Sequence, residues 1–178
     1  MRFEQLHSEN IFSGRAFTIR RDTLRLPDGH ETKFDIVVHV GSVVLIPVDD
    51  LGNLLFVRQY RHAAGLELLE LPAGTLDEDE APEACARREV REETGMAAGR
   101  LELLGGFYLA PGYSTEYMHV YLATELVHDP LKADADEFLS VESIPLERAF
   151  SMAEGGQIPD AKTLAALAMA RPRLTARK

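Results

Sequence analysis

Three glutamates carry the first chemical suggestion in this 178-residue chain. Glu89, Glu92 and Glu93 stand at i, i+3 and i+4, so on a helix their carboxylates share one face. Two unit charges ~4 Å apart repel by about 4 kcal/mol at an effective dielectric of ~20. Such a stripe is costly unless protons, arginines or a cation compensate it. Arg88 is placed to meet Glu92 across one turn, which can hold one carboxylate in place. The remaining oxygens are hard ligands suited to magnesium or manganese. Upstream, Leu71-Pro72-Ala73-Gly74 ends a strand in a tight bend, where a backbone carbonyl could add a further oxygen ligand.

The helix that must present these groups has clear ends. Pro82 suits its first turn, and Gly95 suits the left-handed position just past its last turn. Acids at its start are favoured by the helix dipole, whereas Glu89, Glu92 and Glu93 sit at the disfavoured end. Around this helix the chain reads mainly as strands. RAFTIRRDTLRL and HETKFDIVVHV flank a turn at Pro27-Asp28-Gly29, and SVVLIPV and NLLFVRQY suggest a second hairpin about Asp49-Asp50-Leu51-Gly52. Short strands are expected at LELLELP and at 101–109, 116–123 and 138–144. Two helices follow, one over 146–153 that stops at Gly155-Gly156. The other starts near Asp160, a suitable N-cap, and is expected to end before Pro172.

Composition narrows the function classes. The chain has 29 acids against 19 bases, a formal charge of −10. Eight acids and three arginines between Asp77 and Glu93 account for half of it. No basic surplus exists to displace counterions from DNA or RNA, so no nucleic-acid partner is expected. Cys85 is the single cysteine, which excludes a disulfide scaffold. No apolar run approaches the ~20 residues that cross a bilayer, and MRFEQLHSENIFSG lacks the pattern of a signal peptide. These features lead to the expectation of a cytoplasmic protein with no membrane partner.

The segment LPAGTLDEDEAPEACARREVREETGM resembles the Nudix box, G-x5-E-x7-R-E-U-x-E-E-x-G-U with U aliphatic. Gly74, Glu80, Arg88, Glu89, Val90, Glu92, Glu93, Gly95 and Met96 meet every fixed position. The resemblance implies an α/β fold: a Nudix α/β/α sandwich with a mixed sheet, spanning 41–178, and an N-terminal antiparallel β appendage at 1–40. It implies a pyrophosphohydrolase that uses Mg2+, or Mn2+ as a substitute. Glu89, Glu93 and the Ala73 carbonyl are then the leading metal ligands. Glu92 is a further ligand or a supporting carboxylate oriented by Arg88, and Glu80 is either linked to the metal through water or structural.

Pro111 lies 16 residues after Gly95 in FYLAPGYSTEYMHVYLA, which resembles the segment marking the ADP-ribose pyrophosphatase branch. KFDIVVHVGSVVLIPV, LLFVRQYRHAAGLELLELPAG and GGQIPDAKTLAALAMA are similar to that branch as well, so the likeness covers most of residues 15 to 170. It implies that Arg61 contacts substrate, as a planar fork suits a diphosphate. Phe34 matches a position that stacks on adenine, and His39 a polar position beside the substrate. A second stacking aromatic of some relatives falls near Ala16, where Phe17 or Phe12 could substitute. Glu137, in the acidic loop ADADEFLSVESIP, matches the general base, and Glu116 is the rival base or a substrate-positioning carboxylate.

The expected reaction is hydrolysis of ADP-ribose to AMP and ribose 5-phosphate. Its partner is a small nucleoside diphosphate, and the resemblance implies a homodimer built through the N-terminal strands. Two alternatives stay open. One is a hydrolase of a GDP-sugar or dinucleotide, and the other a Nudix domain that senses ADP-ribose without cleaving it. The complete box and the lack of a basic helix-turn-helix segment weigh against the sensor.

Overall fold

Runs of valine, isoleucine and leucine broken by glycine and proline set a strand-rich pattern. A computed structural model describes residues 2–15, 17–132 and 138–176. Contacts divide the chain into two units, Met1–Gly41 with Phe107–Tyr117, and Ser42–Gly106 with Met118–Lys178.

In the first unit, β1 (Glu4–Ser13), β2 (Thr18–Arg25) and β3 (Glu31–Val38) form an antiparallel sheet in the order β1-β2-β3. The turn at Pro27-Asp28-Gly29 joins β2 to β3 as expected, with Thr18 opposite Val38 and Arg25 opposite Glu31. Strand β1 falls within the expected β appendage at 1–40, though no separate strand is expected over Glu4–Ser13. Its polar sequence EQLHSENIFS conceals it, and every residue of it is exposed. Cross-strand pairing holds it: Arg25 Nη1 donates to Glu4 Oε2 at 2.9 Å and Ser8 Oγ to the buried Asp22 at 2.6 Å. The later segment joins β3 through Val37, whose N–H donates to Tyr113 O at 2.8 Å.

The second unit carries the box. Strands β4 (Ser42–Pro47), β7 (Ala73–Thr75), β8 (Met96–Tyr108) and β9 (Tyr117–His128) lie in the order β7-β4-β9-β8. Strand β4 runs parallel to β9 and antiparallel to β7, so this sheet is mixed. A second sheet has the order β10-β5-β6, from β5 (Asn53–Arg61), β6 (Leu66–Glu70) and β10 (Leu139–Pro145). The hairpin expected about Asp49–Gly52 is therefore corrected. Strands β4 and β5 belong to different sheets and share one isolated bridge, Val48 to Leu54. Asp49 closes the turn by accepting from the N–H groups of Leu51 and Asn53 at 2.9 and 2.8 Å. All six residues of β4 are buried, as are Leu54–Val57. Strands apolar on both faces belong inside a layered fold, each within its own sheet.

Among the described residues three helices cover these sheets: α1 (Pro82–Thr94), α2 (Leu146–Glu154) and α3 (Ala161–Thr175). Helix α1 packs on β4 and β7, α2 on β5 and β10, and α3 on β4. The unit is an α/β/α sandwich. Its core joins Val43, Leu45, Leu55, Cys85, Ala86, Val90 and Tyr121. Helix α3 does not stop before Pro172 but continues to Thr175. Proline removes only one backbone donor, and so near a helix end it can be carried through the last turn. Among the described residues no helix is long and apolar enough to cross a membrane.

Candidate active site

Helix α1 begins with Pro82 at its first positions and ends at Gly95, φ 72°, whose N–H donates to Arg91 O at 3.1 Å. Only Gly or a rare exception adopts that left-handed cap without strain. The buried face of α1 holds Cys85, Ala86 and Val90, but also Glu89 and Glu93, 7% and 5% exposed. Burying Val90 stabilises the helix on the sheet by about 1.5–3 kcal/mol. Burying two carboxylates one turn apart does the opposite, at several kcal/mol for each desolvated ion. Helix-end dipole effects of roughly 0.3–1 kcal/mol are too small to offset that and here have the wrong sign. Folding energetics alone therefore does not account for this pair.

Both carboxylates lie against consecutive residues of β7. Ala73 N–H donates to Glu93 Oε2 at 3.0 Å. A Cβ added at Gly74 would stand 1.9 Å from the Glu89 carboxylate. Glycine at this position is what lets the Glu89 head reach the strand. Strand end and helix face thus converge as the box spacing implied.

Arg88 ties the rim together and does more than the expected pairing with Glu92. Its Nε and Nη2 donate to the two oxygens of Glu80 at 3.0 and 2.8 Å. Its Nη1 is shared between Glu89 Oε1 at 2.6 Å and Glu92 Oε2 at 2.9 Å. Nη2 also reaches Thr75 O at 3.3 Å. The Arg88 fork holds the Glu80 carboxyl down to about 2, and Arg88 in turn is raised, chiefly by Glu80. Asp77 N–H donates to the same carboxylate at 3.0 Å, so Glu80 braces the loop entering α1. Burial, then Glu89 and Glu80, push the Cys85 thiol up, which keeps it a neutral packing group.

Arg61, at the end of β5, is engaged by a residue that the sequence reading passed over. Its Nε and Nη2 donate to Glu70 Oε1 and Oε2 at 2.9 and 2.7 Å. Glu70 is 1% exposed and also pairs with Lys162. The alternation in LELLELP could have flagged Glu70 as an acid at a buried position; its partner Lys162, 92 residues away, had no local signal. Arg58 pairs with Glu142 at 2.6 Å.

Phe34, His39 and Glu116 belong to the first unit. Phe34 lies on β3 opposite Asp22 and is exposed. His39 N–H donates to Thr115 Oγ1 at 2.9 Å, and its Nδ1 accepts from Gly41 N–H at 3.0 Å. Glu116 follows Thr115 and accepts at its backbone O from Leu109 N–H at 3.2 Å. Within that unit His39 and the Glu116 segment are therefore neighbours. Glu137 lies outside the described residues.

The donor set suits a hard divalent cation: two buried carboxylates, a strand-end backbone beside both, and a glycine cradle that a side chain would fill. Among the described residues no three His, Cys, Asp or Glu side chains are themselves gathered as ligands.

An α/β/α sandwich in which a strand end, a loop and an acidic helix bury paired carboxylates defines the class. The chain belongs to the Nudix family: residues 38–167 match the NUDIX domain. It is 38% identical over 161 residues to an ADP-ribose pyrophosphatase of Bacillus subtilis, covering 89% of this chain and 87% of that one. It is 45% identical over 125 residues to an ADP-ribose pyrophosphatase of Mycobacterium tuberculosis, covering 70% and 60%. A crystal structure of an ADP compounds hydrolase shares the fold, with a TM-score of 0.89 at 24% identity, covering 99% of this chain and 96% of that one.

Proposed function

We propose that this chain is a Nudix pyrophosphohydrolase that hydrolyses ADP-ribose to AMP and ribose 5-phosphate. The observation that carries the reading is the burial of Glu89 and Glu93 against Ala73 and Gly74. The ADP-ribose pyrophosphatases to which the chain is similar support the substrate. Glu89, Glu93 and the Ala73 carbonyl would hold Mg2+, or Mn2+ as a substitute. Bound there, the metal offsets substrate charge, polarises phosphoryl oxygens and acidifies water.

The chain's own groups do the rest. Arg88 fixes Glu92 and Glu89 in place, and Arg61 grips the diphosphate. Phe34 is the candidate to stack on adenine, His39 is a polar substrate contact, and Glu116 is a substrate-positioning carboxylate if it is not the base. Water attacks one phosphorus, the bond to the bridging oxygen breaks, and Glu137 takes the water's proton, with Glu116 as rival. The enzyme works in the cytoplasm, where a free buried Cys85 is the ordinary state. It works as a homodimer through the appendage at 1–40, whose Phe3, Leu6, Ile11 and Phe12 are exposed apolar groups that a second copy would cover.

A substrate panel with magnesium tests the assignment, with products separated by chromatography. ADP-ribose is expected to turn over fastest, giving AMP and ribose 5-phosphate. Rapid cleavage of a GDP-sugar beside slow cleavage of ADP-ribose would overturn it.

A further inference from the structure

Glu70 ends β6 and Lys162 lies in the first turn of α3. Both side chains are at least nine-tenths buried, and the Lys162 ammonium donates to Glu70 Oε2 and to Asp160 Oδ2, the latter at 2.9 Å. Asp160 caps α3 by accepting from Thr163 N–H at 3.0 Å, and the Thr163 hydroxyl accepts from Leu71 N–H at 2.8 Å. The carboxylate of Glu70 is thus held on one side by a rigid helix start and covalently by a strand end that is itself pinned. Its other side faces Arg61. Two parallel bonds fix the plane of that guanidinium, while 40% of the Arg61 side chain stays open to solvent.

We infer that Glu70, with Lys162 behind it, is a positioning residue that fixes the Arg61 guanidinium for the substrate diphosphate. The inference rests on the proposed role of Arg61 as the group that contacts the diphosphate. Two features carry it beyond a structural ion pair. An exposed arginine would otherwise sample many rotamers, and a fork anchored through Nε and Nη2 presents its free edge in one orientation. Glu70 raises the Arg61 guanidinium most and Glu93 adds to it, so a carboxylate of α1 also acts on it electrostatically.

Steady-state kinetics of the full chain with ADP-ribose and magnesium test this, using Arg61→Ala, Glu70→Gln and the double variant. Arg61→Ala is expected to raise KM about tenfold or more. Glu70→Gln is expected to raise KM about tenfold with kcat within about twofold. In the Arg61→Ala background Glu70→Gln should add nothing, because its effect runs through Arg61. An unchanged KM for Arg61→Ala would remove the substrate contact and the inference together. A raised KM for Arg61→Ala with multiplying effects in the double variant, or with no effect of Glu70→Gln, would leave the contact standing and overturn the positioning role. If Glu70→Gln does not fold, Glu70→Asp decides: it keeps the buried charge but withdraws the carboxylate by one methylene. A KM rise seen only when Arg61 is present supports the inference, and an unchanged KM contradicts it.

Discussion

Two carboxylate networks lie buried in the same unit, and they are neutralised in different ways. Glu70 and Asp160 meet two cations, Arg61 and Lys162, so that knot is balanced within itself. Around α1, Glu80, Glu89 and Glu92 share the single guanidinium of Arg88, and Glu93 takes the backbone N–H of Ala73. Burial opposes the charge of Glu70, yet Arg61 and Lys162 still hold its carboxyl below the ordinary range. The balanced knot holds shape, the orientation of Arg61 included. The crowding of carboxylates around α1, three of them on one guanidinium, is what the proposed cation would relieve.

The contrast is broken most strongly by neutralising one of the carboxylates around α1. Glu93→Gln is expected to lower turnover by about a thousandfold or more while the melting temperature holds or rises. Glutamine can still accept from Ala73 N–H, and one repulsive charge is gone. Near-native turnover would show that Glu93 is no ligand.

Lys162→Met tests the balanced side, and its effect should be on stability. Removing one partner from a buried pair costs about 3–5 kcal/mol, measurable as a lower urea midpoint. A midpoint unchanged from wild type would mean that the knot is not the brace described.

The smallest effect is on pH dependence. Glu80 has a folded pKa of about 2 against 4.5 for an unperturbed glutamate, because of the Arg88 fork. Its contribution to stability is fully present above 4.5 and is lost as pH falls from there towards 2. Glu80→Gln should flatten the acid limb of a stability profile over that window. A limb identical to wild type would contradict the bracing role of Glu80.

Much of the site was legible because its signal is local. Glu89, Glu92 and Glu93 at i, i+3 and i+4, Pro82 and Gly95 at the helix ends, and the strand end at Ala73 all lie within 26 residues. The parts that escaped depend on distant partners. Glu70 reads as one of two acids in a leucine strand until Lys162 arrives from α3. Strands β4 and β5 look like a hairpin, since a tight turn and two apolar runs fit that pattern; only the layering of two sheets separates them. Strand β1 is held by pairing with β2 rather than by an apolar face, so its sequence offered no alternation to find.

The most direct test of the central claim is calorimetric titration of magnesium into wild type, Glu93→Gln and Lys162→Met. Wild type and Lys162→Met are expected to bind the ion, and Glu93→Gln to lose most of that binding. Equal binding by Glu93→Gln and wild type would contradict the assignment of the α1 carboxylates as the cation site.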